Sequence, residues 1–127
     1  MTTSCSTASI FTARCCPASA QDLKRPGEST ATVACRVAAA RAFQEARHSL
    51  CNALMSDEQV SRFCALDSAG RSLLAAATEK LGLSPSTASR ILRVARSVAD
   101  LEGAEAIRTV HLAEALQFRP LRHPRHV

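Results

Sequence analysis

The sequence predicts an all-α protein, a small helical bundle of about five helices. Three observations lead there. Apolar residues recur with a 3.6-residue period in several separate stretches. Residues that start and stop helices bracket those stretches. The chain also lacks the material for a sheet, because it has no Trp or Tyr, its only aromatic residues are four Phe, and no run alternates with period two. At 127 residues there is room for one domain. Its core must be built from small aliphatic side chains and is therefore thin.

The elements follow in order. Residues 1–24 are rich in Ser, Thr, Ala and Cys without any period, and they are expected to hold little order. Lys24 to Ser29 is a Pro/Gly turn. Ser29 or Thr30 caps a long helix that is expected to run to about Leu54, with Val33, Val37, Ala40, Leu50 and Leu54 on its apolar side. Arg41, Gln44, Arg47 and His48 form its polar flank. Ser56 or Asp57 starts a short helix holding Val60 and Phe63.

The central stretch runs from Asp67 to Leu101. Asp67 caps a helix whose Leu73, Leu74, Ala77 and Leu81 form one stripe. Gly82 stops it, because glycine enters the left-handed conformation without a Cβ penalty. Ser84 caps the next helix, and Pro85 suits its first position. There Ala88, Ile91, Leu92, Ala95 and Ala99 share a face, while Arg90, Arg93 and Arg96 are expected to project from the other side. Gly103 marks the following turn. Thr109 caps a last helix with Leu112, Ala115 and Leu116 toward the core, and Pro120 and Pro124 end regular structure.

The formal charge of +5 suits an acidic partner but is too mild to choose between nucleic acid and protein. The six cysteines include no C-x-x-C pair. They read as buried free thiols of a reducing compartment rather than as disulfides or metal ligands. His123 and His126 lack a second ligand pair, so no metal site is assigned. No apolar run approaches the roughly 18 residues of a membrane span, and the first twenty residues lack the pattern of a signal peptide. A cytoplasmic protein without a membrane partner is expected.

Two long stretches together resemble a known family: RPGESTATVACRVAAARAFQEAR at 25–47 and LGLSPSTASRILRVARSVADLEGAEAIRTVHLAEALQFR at 81–119. They are similar to the C-terminal helical lid of magnesium-chelatase-like AAA+ ATPases, specifically the competence-protein subfamily. The matching residues include Gly27, Glu28 and Ser29; Val37, Ala40, Arg41, Gln44 and Arg47; Asn52; the run Arg90 to Arg96; Ala99, Asp100 and Leu101; and His111 to Leu116. The resemblance implies a lid domain over residues 25–121, followed by a tail at 122–127. It also implies a parent ATPase that uses ATP and magnesium, assembles as a ring and acts on DNA. An AAA+ core domain or homologous ring subunits are the implied partners.

Two departures qualify that reading. The chain has no G-x-x-x-x-G-K-[ST] and no acidic strand end to hold Mg²⁺, so it is not expected to be an enzyme alone and no catalytic residue is assigned. The family also places an arginine two residues after the capping serine, facing the nucleotide phosphates; here that residue is Ser86. Ser86 and Arg90 are the nucleotide-proximal candidates, and Arg93 and Arg96 the candidates for contact with a partner or DNA. Arg41, Gln44 and Arg47 are the family-motif positions on the first helix.

A second reading takes residues 67–99 as a helix-turn-helix whose second helix enters the DNA major groove. The flanking matches at 37–47 and 111–116 favour the lid. Lastly, residues 1 to about 20 are expected to be an out-of-frame segment. With suitably chosen GC-rich codons for Cys5 to Cys16, a shifted frame reads Leu-Asp-Arg-Ile-Asp-Ile-His-Gly-Glu-Val-Leu. This is close to the family segment that precedes the lid and carries an arginine toward the neighbouring subunit.

Overall fold

The computed structural model describes residue 13 and residues 16–118. The out-of-frame expectation and the two tail histidines fall on, or almost entirely on, residues outside that set. Five α-helices are present among the described residues: α1 (Thr30–His48), α2 (Asp57–Phe63), α3 (Ser68–Leu81), α4 (Pro85–Glu102) and α5 (Thr109–Gln117). Short 3-10 turns occur at Asp22–Lys24, within the segment expected to hold little order, and at Asn52–Leu54. The only β feature among these residues is an isolated parallel bridge between Leu66 and Ile107.

Local chemistry sets the helix starts. The Ser29 hydroxyl accepts the Thr32 N–H at 3.2 Å, and Asp67 accepts that of Gly70 at 2.7 Å. Ser56 and Gln59 cap each other's backbone N–H reciprocally, which satisfies two otherwise orphaned donors. Gly82 and Gly103 close α3 and α4 in the left-handed region, at φ of 62° and 75°. The start of α5 differs from expectation by one residue. Arg108 is its N-cap, and the His111 ring nitrogen Nδ1 accepts the Arg108 N–H at 3.0 Å, the role a glutamate or glutamine usually takes.

Helix α1 departs further. It stops at His48 instead of continuing to Leu54, and Ser49 adopts φ 62° as a left-handed cap. The chain then turns through the 3-10 segment, which places Asn52 against α4. Only Ala40 and Gln44 of α1 are buried. The apolar side expected of this helix is largely open: Val33, Val37, Leu50 and Leu54 are all exposed.

Helix α4 is the hub, because α1, α2, α5 and the 3-10 turn at Asn52–Leu54 all pack on it, while α3 lies chiefly against α5. The core consists of Ile91, Ala95 and Ala99 from α4, Leu112, Ala115 and Leu116 from α5, and Met55, Val60, Cys64 and Ile107 from the connecting segments and α2. Small residues on α4 let its neighbours approach closely. Among the described cysteines, burial of the thiol follows the expectation for Cys64 alone, since Cys35 and Cys16 are exposed and Cys51 is half-buried.

Candidate functional site

The two ends of α4 present different chemistry. At its N-terminus Ser84 accepts the Thr87 N–H at 3.2 Å, its hydroxyl lies 2.9 Å from the Thr87 hydroxyl, and Pro85 occupies the first turn. Ser86 is exposed there, at the positive end of the helix dipole. Arg90 stands one turn on, half-buried, with no ion pair among the described residues. Arg93 makes a long contact of 3.5 Å to exposed Asp57, and its Nε has no hydrogen-bond partner among the described residues. This end therefore holds positive charge with little internal use.

The C-terminal half is a closed polar knot around Asp100. Arg47 of α1 donates to both Asp100 oxygens, at 3.1 and 2.5 Å. Arg96 donates from Nε to Asp100 at 3.1 Å and from its terminal nitrogens to the carbonyls of Glu105 and Ala104, at 2.9 and 2.6 Å. Asn52 supplies a third donor at 2.9 Å. Burial pushes the Asp100 carboxyl up. The hydrogen bonds from Arg47 and Asn52 and the charges of both arginines outweigh burial and hold it below the usual carboxylate range.

Asn52 itself is fully used. Its backbone N–H reaches Gln44 Oε1 at 3.0 Å, its amide also reaches Ser97 Oγ at 3.1 Å, and its Oδ1 accepts from His48 Nε2 at 3.2 Å. The family-motif positions thus divide. Gln44 and Arg47 belong to this knot, whereas Arg41 is exposed.

Arg96 corrects a sequence expectation. It does not project outward; its side chain is 2% exposed and its donors are spent on Asp100 and two carbonyls. It is therefore not presented to a partner or DNA and instead pins the turn between α4 and α5. Sequence reasoning missed Asp100 and Asn52 as the centre of the knot. The signal for them was the pairing of Arg96 with Asp100 four residues on, a spacing that favours contact on one helix face.

The same geometry bears on the helix-turn-helix reading. A recognition helix presents one long open side to the groove. From Thr87 to Asp100, no residue of α4 is fully exposed.

The model of the family described as "Magnesium chelatase, subunit ChlI C-terminal" matches residues 27–119, nearly all of the described helical domain. The chain belongs to this magnesium chelatase C-terminal family. Its relatives include the uncharacterized protein YifB of Escherichia coli, 40% identical over 96 residues, which are 76% of this chain and 19% of YifB. The competence protein ComM of Haemophilus influenzae is 39% identical over 95 residues, 75% of this chain and 19% of ComM. The YifB of Salmonella typhimurium is 38% identical over the same shares. The chain thus matches about a fifth of the length of these curated relatives, in the region the family model places at the C-terminus. The domain is a C-terminal lid domain of a magnesium-chelatase-like AAA+ protein, and no ATPase core is evident in it. No helix among the described residues is long and apolar enough to cross a membrane.

Proposed function

We propose that this chain serves as the nucleotide-facing lid of a competence-type, magnesium-chelatase-like ATPase, in the cytoplasm, and that it hydrolyses no ATP alone. In this reading it docks on an ATPase body and contributes through that body to ATP-driven work on DNA. The observation that carries it is the asymmetry of α4: one end is locked into the fold, while the other offers Ser86 and Arg90 at an open helix N-terminus.

The residues there fit a phosphate contact in part. Ser86 supplies a hydroxyl and Arg90 a guanidinium one turn away, both near the positive end of the helix dipole. No acidic residue occurs between Ser84 and Val98, so Mg²⁺ would be held by the body and not by this end of the lid. When bound, ATP supplies the phosphoryl bond to be cleaved. This chain would add charge and orientation around the phosphates, and both act only when the reacting groups are assembled.

The test is calorimetric titration of the purified chain with Mg-ATP, together with a phosphate-release assay. Binding no tighter than about millimolar is expected, with no turnover above the buffer blank; such binding corresponds to only about 4 kcal/mol. Sub-micromolar binding or steady turnover by the chain alone would contradict the proposal. So would a salt-sensitive shift of duplex DNA that Arg90→Ala weakens, which is the signature of direct DNA binding.

A further inference from the structure

A groove between α1, α4 and α5 runs alongside the polar knot, with apolar side chains at its centre and charged ones at its rim. From Thr30 to Ala39, α1 contributes no buried residue to the fold. Val33 and Val37 of α1, Leu101 of α4 and Val110 of α5 are 40%, 48%, 46% and 61% exposed, and they converge on one hollow of about 510 Å³. A second hollow of about 290 Å³ shares Val37 and Leu101 and extends the groove toward Gln44 and Asn52. Scattered exposed apolar residues are ordinary, but a contiguous apolar groove built from three helices marks an interaction surface.

We propose that this groove is the seat of the ATPase body, packed by an apolar ridge that carries a Lys or Arg at its edge. The proposal rests on the lid reading given above. Two observations select this occupant. First, the family match begins at residue 27, three residues before α1. The curated relatives devote 19% of their length to the matched region, which the family model places at the C-terminus, so their larger remainder precedes it. In those proteins the body therefore enters the lid at the start of α1, beside the open Val33 and Val37. Second, the groove rim has charge to spare. Glu114 of α5 makes no ion pair among the described residues, whereas Glu102 is already engaged by Arg108 and His111 and Arg36 by Glu28. A cation on the ridge completes Glu114.

The experiment titrates the fluorescently labelled full chain with Escherichia coli YifB truncated before its matched region, after circular dichroism has shown that the truncated protein is folded. Wild type and Arg71→Ala, at an exposed position of α3, are expected to bind alike. Val37→Glu and Val110→Glu are expected to bind about 30-fold or more weakly, as for central contacts of an interface. Glu114→Lys is expected to weaken binding by a smaller factor that shrinks with added salt. These sites are solvent-exposed, and unchanged melting curves for the variants exclude misfolding. Wild-type affinity in both valine variants overturns the groove assignment and leaves the lid reading intact. Failure of the wild-type chain to bind removes both. A sedimentation shift showing self-association of the chain, abolished by Val37→Glu, makes a second copy the occupant and overturns the proposal.

Discussion

Arg90 and Arg96 stand six residues apart on one helix and share nothing but their chemistry. Arg90 sits at the open end without an ion pair among the described residues. Arg96 is enclosed, with donors spent on Asp100 and the carbonyls of the turn that follows. Rotation explains part of this. Each residue advances by about 100°, so arginines three apart step back by about 60°, and the outer two differ by about 120°. Neighbours explain the rest, because α1 and the 3-10 turn at Asn52–Leu54 cover the flank of α4 reached by Arg96 and Asp100. The same side chain is thus spent on the fold at one end and left without an ion pair, among the described residues, at the other. Periodicity cannot assign those roles without the covering element.

That contrast breaks if the locked end is dispensable. Asp100→Ala leaves Arg47 and Arg96 facing each other without a counter-charge, and should cost about 3–5 kcal/mol of stability. Ser86→Ala, at the open end, should fall within about 0.5 kcal/mol. Urea unfolding of the two variants checks this, and similar midpoints would erase the distinction between the ends.

Function should reverse the ranking. In a chimera carrying this lid on an intact ATPase core, Ser86→Arg restores the charge that the family resemblance places at the first turn of α4. The turnover number should then rise by roughly 10²–10³, the usual scale for one well-placed charged contact in a transition state. Ser61→Arg, at an exposed position of α2, should not raise it. If Ser86→Arg changes little and Arg90→Ala removes most activity, Arg90 is the working group; if Ser86→Arg, Arg90→Ala and the parent turn over alike, this helix does not touch the nucleotide.

The smallest effect is the sharpest in pH. The folded-state pKa of Asp100 lies below its unfolded value. Its contribution to stability is therefore fully present above about pH 4 and fades as pH falls through the folded pKa. The acid limb of a stability profile should flatten in Asp100→Asn relative to wild type. Glu102, also held below the usual range by His111 and Arg108 but exposed, should matter less, so Glu102→Gln should keep most of the limb. An Asp100→Asn limb as steep as wild type would place the acid sensitivity elsewhere.

Much of this architecture was legible in the sequence, and the reason is local chemistry. Ser29, Ser56, Asp67 and Ser84 cap as expected because a hydroxyl or carboxylate beside orphaned N–H groups needs no tertiary help. The core face of α4 followed from spacing alone, and the family resemblance rested on residues the family model matches. The end of α1 was not legible. Leu50 and Leu54 continue its apolar period, and Ser49 gives no glycine signal for the left-handed cap it forms. What overrides the pattern is Asn52, whose bonds to Gln44, His48, Ser97 and Asp100 need the chain to turn toward α4. The open α1 stripe was illegible for the converse reason, since a period of 3.6 announces an apolar side but not what covers it.

Cys64 gives the fold a clock. Burial pushes its thiol up to about 11, against the pull of Arg96 and Arg47, so at neutral pH the folded protein presents almost no thiolate at the core. Alkylation there waits for the bundle to open, and its rate counts openings. Cys35, exposed on α1, reacts without waiting. One molecule thus carries both a gated and an ungated thiol, and the ratio of their labelling rates reports how often the helices part.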